Sequence, residues 1–584
     1  MDANLVKALT GYIPQLLPEL VLGVAACVLF LGGTWRANRC LWGWVALLSL
    51  ALAGVGLCYT SSQVPTVEKL SAEIKDLSDA SIDRTKSTED HDKIETKRLE
   101  KAEEFNAQQY SAPILHTGLA TFVRWLALLI GAVLVLFAWD EVPASCAAEY
   151  HACLLLIVAG TGLTAAANDL ITLFLALELI SIPTYLLLYL PRSDGPAQEA
   201  AMKYFMLSIF SSALLLFGFS YLYGLGGTTN LTALADALGA KEGQAPGATR
   251  GVLLMALVLV LAGLGFRITA VPFHFYAPDV YQGTATPNAA LLAVIPKVAG
   301  FVALVRVLLL VPPVAAAILV SPRDPVATFS TLGYDSQIPV VLWIMAAVTM
   351  SLGNVLALLQ DNIKRLLAYS SVAHAGYMLI GLTAAARMGS RGDPAVSGVE
   401  GVLFYLVAYG AMTIGAFALM TYLSTPEKQV ETVDDLAGLG RRRPGAALLM
   451  TLFLFSLIGM PLTAGFMGKL FLFFGAMQTP FFSLTRDANA PEQHQLFNIL
   501  VLIAAVNAAI GGWYYLRMIA VMYLRESAQA STVSKPRPVL AAVWICAVVT
   551  LFVGVYPKPL LDCVKSVVRV VPEVKADDKK TAER

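Results

Sequence analysis

The sequence predicts an all-helical, polytopic membrane protein with about fourteen crossings, and three observations lead there. Of 584 residues, 57% are hydrophobic and only 14% charged, and the mean hydropathy is +0.67, a composition unlike that of a soluble chain. Apolar runs recur at the ~20-residue length that spans a hydrocarbon core. Two of these runs are broken by proline and glycine beside a lone cation. Basic and acidic residues balance at 41 each, so no overall field draws nucleic acid. The seven cysteines (27, 40, 58, 146, 153, 546, 563) lack CxxC spacing and read as small hydrophobes rather than ligands of zinc or iron–sulfur.

In chain order, the apolar segments centre near residues 22, 49, 125, 157, 179, 214, 260, 297, 349, 376, 410, 455, 509 and 547. The short one before Asp169 is the weakest. The first runs from about Leu16 to Trp35 and lacks the basic flank of a cleavable signal peptide. Glu19 after Pro18, and Asp169 after Asn168, read as helix-start residues. Between the second and third segments, residues 64–109 have soluble composition. Val67, Leu70, Ile74 and Leu77 recur there at helical spacing and signs alternate through DRTKSTEDHDKIETKRLEKAEEF, which predicts a charged helix or helical hairpin outside the membrane.

Short loops rich in Arg36, Arg39, Arg192, Lys364, Arg365, Lys428, Arg441, Arg442, Arg443, Arg525, Lys535 and Arg537 belong inside, leaving Arg387, Arg391 and the insertion outside. An even number of crossings then places both termini outside.

Three ionisable residues sit alone in apolar runs. Glu178 lies in ITLFLALELISIPTYLLLYL. Lys297 has 17 uncharged residues before it and eight after, and Lys469 has 25 before and 16 after. A charge at bilayer depth costs at least ~2.5–3.5 kcal/mol, so such residues mark ion or proton routes more often than decoration. The first interrupted segment is GVLLMALVLVLAGLGFRITAVPFHFYAPD, in which 16 uncharged residues precede Arg267 and Pro272 follows. The second is FLFSLIGMPLTAGFMGKLFLFF, with Pro461, Gly465 and Gly468 ahead of Lys469. Paired interrupted helices point to an inverted-repeat transport fold whose freed backbone groups hold ions or water near the midplane. Glu199 and Lys203 are spaced as an i,i+4 pair on a helix surface.

Gly263–Lys297, Asp361–Gly381 (DNIKRLLAYSSVAHAGYMLIG), Gly459–Phe473, LELISIPTYLLLYL and EAAMKYF together resemble the motifs of subunit N of respiratory complex I, the proton-pumping NADH–quinone oxidoreductase. The resemblance covers nearly the whole chain apart from 64–109, an expanded 311–338 loop and the charged tail. It implies fourteen helices, with helices 4–8 and 9–13 as two inverted five-helix repeats and helices 7 and 12 discontinuous. The implied divisions are 1–62 (helices 1–2), 63–112 (insertion), 113–148 (helix 3), 149–312 (first repeat), 313–338 (loop), 339–527 (second repeat) and 528–584 (helix 14 and tail).

The same resemblance implies a bacterial inner-membrane protein that translocates protons among other membrane subunits, with NADH, FMN, iron–sulfur clusters and quinone all handled elsewhere. Its implied proton path runs through Glu178, Arg267, His274, Lys297, His374 and Lys469, with Lys203 as the MKYF lysine. Arg267 stands where the family usually has lysine; an amine can release its proton, whereas a guanidinium does not. A cation/proton antiporter subunit of the multi-subunit type shares this fold and is the alternative. Its members, like the larger complex I pumps, carry a histidine-rich HxWLPxAH-like segment where this chain reads FHFYAPDVYQG.

Overall fold

The computed structural model describes residues 3–568 except 83–87, 107–109, 111, 191, 193, 243–246, 309–336, 386–396, 426–428, 480–494 and 527–536. Residues 313–336 of the loop expected at 313–338, the end of the charged tail, and Arg387, Arg391, Lys428 and Lys535 lie outside the described residues, while 337 and 338 already belong to the next helix.

Every regular element among the described residues is helical. The membrane helices α1 (Ala3–Gly33) and α2 (Arg39–Gln63) precede a hairpin of α3 (Val67–Ile82) and α4 (Thr88–Asn106). Then come α5 (Gly118–Ala138), α6 (Ala147–Ala166), α7 (Leu170–Tyr189), α8 (Gly195–Gly226), a short α9 (Leu231–Glu242), α10 (Gly247–Arg267), α11 (Ala277–Gly283) and α12 (Thr286–Leu308). The remainder is α13 (Gln337–Leu358), α14 (Ile363–Ala385), α15 (Gly398–Leu423), α16 (Leu439–Arg442), α17 (Pro444–Ile458), α18 (Ala464–Gln478), α19 (Gln495–Leu524), α20 (Arg537–Val555) and α21 (Lys558–Val568). Twelve of the described helices are long and apolar enough to cross a membrane, so the chain is a multi-pass membrane protein; the span before Asp169 is one of them.

The two interrupted segments fold as the shorter apolar helices Gly251–Arg267 and Pro444–Ile458. After α10 the chain turns through Thr269 (φ 56°), and after α17 through Gly459 (φ 92°) and Leu462 (φ 69°), before α11 and α18 resume. Pro272 and Pro461 have no N–H to continue either helix. The freed groups find partners: the Phe266 carbonyl accepts Tyr276 O–H at 3.1 Å, and the Gly465 N–H donates to Ser456 Oγ at 3.0 Å.

Position in the bundle sorts the helices. The spans of α12, α14 and α15 are 100%, 94% and 89% buried against 22% for α1, so these three form the centre and α1 the rim. Glycines allow the central contacts. A Cβ on Gly353 of α13 would stand 2.6 Å from the Ala373 nitrogen of α14, and one on Gly376 of α14 would stand 2.5 Å from the Met350 nitrogen of α13. Neither backbone can recede, so no larger residue fits this crossing.

The charged insertion folds as the expected hairpin. Val67, Leu70, Ile74, Phe105 and Leu115 close a small core of their own, with Leu77 half-buried, and Lys101 of α4 pairs with Glu73 of α3 at 3.4 Å. The hairpin is rooted by Val67 N–H donating to the His116 carbonyl at 3.1 Å.

Asp169 caps α7 as expected, accepting the Ile171 and Thr172 N–H groups at 2.8 and 3.3 Å. Glu19 departs from expectation. It lies within α1 rather than at its start, and its carboxylate takes Arg124 of α5 at 2.7 and 3.2 Å, both side chains nearly buried. Pro18 does not stop α1: the Pro14 carbonyl it leaves without a helical donor accepts Thr60 Oγ1 at 2.7 Å. Gly162 makes room for the ion pair, since a Cβ there would sit 2.8 Å from Glu19 Oε1.

Removing one partner of a buried ion pair costs about 3–5 kcal/mol, whereas replacing both with apolar groups is close to neutral. Arg124→Ala is therefore expected to lower thermal stability strongly and Arg124→Met with Glu19→Leu to recover most of it, as measured by thermal unfolding of the purified protein.

His116 sits between the hairpin and the apolar helix α5, with both ring nitrogens buried and unpartnered. Burial first, then Arg124 and Lys69, push it down to about 4 from its ordinary 6.5. The neutral ring is the folded form, so this contribution is complete above pH 6.5 and lost as pH falls toward about 4. Limited proteolysis of the hairpin should accelerate over that window, and His116→Gln should flatten the dependence.

Candidate functional site

Glu178 projects from α7 toward the end of α10. Its Oε1 accepts Arg267 Nη2 at 3.0 Å and Ser212 Oγ at 2.5 Å. Arg267 also donates from Nη1 to Ser181 Oγ at 2.7 Å and to the Leu177 carbonyl at 3.1 Å, while its Nε is buried with no acceptor. The broken end of α10 thus sets a permanent cation against the one carboxylate of α7. The pair can hold charge, but Arg267 cannot pass a proton.

Lys297, in the wholly buried α12, donates from Nζ to Ser371 Oγ of α14, with the Tyr409 ring centre 5.9 Å away. Pro296 stands directly before it and the helix continues through. One turn along α14, His374 Nδ1 lies 2.6 Å from Tyr405 O–H and its Nε2 3.4 Å from Tyr515 O–H. Tyr377, three residues further, places its ring centre 5.0 Å from Lys469 Nζ.

Lys469 turns back into the helix break and donates to the carbonyls of Leu457 and Ile458 at 3.0 and 2.8 Å. These are the last carbonyls of α17, where the helix dipole is negative. Among the described residues neither lysine has a carboxylate within ion-pair distance. Ser371, His374 and Tyr377 thus form a stripe on α14 between the two buried amines, touching Lys297 through the Ser371 hydroxyl and Lys469 through the Tyr377 ring face, with His374 between them.

Two sequence candidates lie off this line. Lys203 is half-exposed at the start of α8, paired with Glu199 at 2.7 Å as its spacing predicted and with Asp279 of α11 at 2.7 Å. His274 lies in the break after α10 with a buried, unpartnered Nδ1. Sequence reading passed over Ser371, Tyr405, Tyr409 and Tyr515. The run SSVAHAGY carried a signal for the first, because polar groups three residues apart on an apolar helix form a stripe. Lys364, read from its place in a basic loop, is buried and donates to the Thr284 carbonyl at 3.0 Å.

A family model described as NADH:quinone oxidoreductase/Mrp antiporter, TM, matches residues 167–322 and 314–485. NADH-quinone oxidoreductase subunit N of Trichlorobacter lovleyi is 39% identical over 72% of this chain and 77% of its own length. The same subunit of Anaeromyxobacter sp. is 38% identical over 71% and 76%. A chain of respiratory complex I from Thermus thermophilus with bound aureothin superposes at TM-score 0.65 with 26% identity, covering 93% of this chain and 98% of that one. The Mrp complex from Dietzia sp. shares the fold at TM-score 0.60 and 19% identity, over 80% of this chain and 47% of its own. The two breaks, the buried cations beside them and these likenesses agree, and the chain belongs to the NADH-quinone oxidoreductase subunit N family.

Proposed function

We propose that protons cross the membrane in this chain along the buried line from Glu178 through Lys297 and His374 to Lys469, driven by electron transfer from NADH to quinone in other subunits. The chain is a proton-translocating membrane subunit of NADH–quinone oxidoreductase. The observation that carries the path is a pair of buried lysines without carboxylate partners among the described residues, with Ser371, His374 and Tyr377 of α14 spaced between them. Charges kept at such depth without ion pairing serve conduction better than stability. In this reading Arg267 is a fixed cation that keeps Glu178 ionised and biases its neighbours, while Lys297 and Lys469 carry the exchangeable protons. Lys203 and His274 serve the approaches rather than the line itself.

Counting α10 with α11, and α17 with α18, as one crossing each adds two to the twelve long spans and gives fourteen. An inverted repeat of α6–α12 and α13–α19 is supported by a recurring tie. A backbone bridge joins the start of α7 to the loop after α8 (Asp169↔Asn230), and another joins the start of α14 to the loop after α15 (Asn362↔Thr432); counted by crossings, the two lie on opposite faces. Arg192, Lys364, Arg365, Arg441, Arg442 and Arg443 fall on one face by that count, which makes it the inside of a bacterial inner membrane, with the hairpin and both termini outside. FMN, iron–sulfur clusters and quinone belong to partner subunits, and the hairpin is peripheral to conduction. The antiporter reading has weaker support, because curated relatives at 34–39% identity are subunit N.

Lys297→Met in the assembled complex is expected to cut proton translocation at least about tenfold, by the usual worth of a positioned proton carrier, with quinone reduction falling alongside. Proton uptake into inverted vesicles during NADH oxidation measures it, and full pumping by that variant overturns the path.

Arg267→Lys should retain most turnover because the cation survives, whereas Arg267→Ala should slow it severalfold by leaving Glu178 with Ser212 as its partner. Combining Arg267→Ala with Glu178→Gln should be no worse than the worse single change; additive losses would separate the two residues.

A further inference from the structure

We propose that Tyr515 of α19 and Ser370 of α14 form an inner-facing branch of the path, a bonded hydroxyl pair through which His374 draws protons from the face where α14 begins and α19 ends. The proposal rests on His374 being part of the path. Tyr515 is fully buried; its O–H meets Ser370 Oγ on one side and lies 3.4 Å from His374 Nε2 on the other. Other hydroxyls in the bundle, such as Thr164 of α6, Ser181 of α7 and Thr383 of α14, donate to the carbonyl four residues back in their own helix. Ser370 instead spends its hydroxyl across the helix interface.

The neighbouring residue explains the aim. Tyr514 O–H donates to Asn354 Oδ1 of α13 at 3.1 Å, and the Asn354 amide donates to Tyr377 O–H and Asn507 Oδ1, both at 3.2 Å. Successive residues on a helix point about 100° apart, so a locked Tyr514 turns Tyr515 toward α14.

Depth follows from helix rise. Ser370 is seven residues past Ile363, about 10 Å from the start of α14 at 1.5 Å per residue, and His374 is about 6 Å deeper, near the middle of a ~30 Å core. At the face itself, two residues beyond Tyr515, Arg517 pairs with the exposed Asp361 at 2.5 Å. Arg365 adds Asp279 at 2.6 Å and Gln282 at 3.0 Å, so charged, partly exposed groups line the face about 10 Å from the hydroxyl pair.

A transfer through the pair conserves protons. Hydronium carried up from this face along a file of water, which this branch requires, gives a proton to Ser370 and is left as water; Ser370 gives its own to Tyr515, Tyr515 gives its own to His374, and rotation of the two hydroxyls then restores the start. The charged groups acting on His374 are Lys297 and Lys469, and Tyr377, Tyr405 and Tyr409 close its remaining sides. His374 thereby receives protons independently of Lys297, and the second half of the chain has its own supply from inside.

The test uses the assembled complex in inverted vesicles, whose bulk medium faces the inner side. Tyr515→Phe keeps the ring and removes the hydroxyl, Ser370→Ala removes the other, and Ser370→Thr restores it. Both losses should leave NADH–quinone turnover near wild type at pH 6 and lower it about five- to tenfold relative to wild type at pH 8, where inner-side protons are scarce, with Ser370→Thr recovering. A loss of equal size at every pH, or none, overturns the branch; should Tyr515→Phe fail to assemble, Ser370→Ala and Ser370→Thr decide alone. His374→Gln separates the underlying reading: normal pumping in that variant removes His374 from the path, whereas impaired pumping there with wild-type profiles at 370 and 515 removes only the branch.

Discussion

The structure depends on one constraint: in hydrocarbon, a backbone carbonyl and a cation each need a partner, and here they frequently find each other. Arg124 binds the Gln15 carbonyl, Arg267 that of Leu177, Arg306 that of Ala165, Lys364 that of Thr284, and Lys469 those of Leu457 and Ile458. Several of these carbonyls sit at helix ends, where a crossing stops and its last acceptors have no donor below them. At the second break, the break and the charge are one feature, because Lys469 takes the last carbonyls of α17. A buried cation stabilises the broken end, and the broken end makes the cation tolerable without a carboxylate.

Lys297 is the exception among the buried cations of the described residues, because its partner is the hydroxyl of Ser371. A carbonyl only accepts, so it favours a protonated amine; a hydroxyl accepts from an ammonium and donates to a neutral amine equally well. The centre of the proposed path thus has the partner best suited to a group that changes state. The Glu178–Arg267 pair lacks such ambivalence. Arg267 saturates Glu178 with a charge that never leaves, so its influence on Lys297 changes only if the guanidinium itself moves.

Much of this was legible in the sequence because membranes write in a small alphabet. Isolated charges in long apolar runs, and proline and glycine within two of them, located Glu178, Arg267, Lys297 and Lys469 without any contact information. The hairpin was legible from its period. Glu19 was misread because Pro18 suggested a helix start, whereas Thr60 supplies the missing donor from α2 and Arg124 the charge from 105 residues away. Tyr405 and Tyr515 were invisible for another reason. In a chain with 21 tyrosines, nothing local marks the two whose hydroxyls face a histidine.

The glycine contacts between α13 and α14 carry a mechanical consequence. With each backbone seated against the other at Gly353 and Gly376, α14 is packed backbone to backbone on α13, and sliding of one past the other would carry these glycines into bulkier neighbours. The helix that bears Ser371, His374 and Tyr377 is thereby tied to α13, and any displacement is one the two helices share. Within that pair, the parts left free to cycle are light: side-chain torsions, threads of water, the tips of lysines. Such parts move in nanoseconds to microseconds, far faster than whole helices, and their inertia sets no ceiling on the rate at which the machine runs.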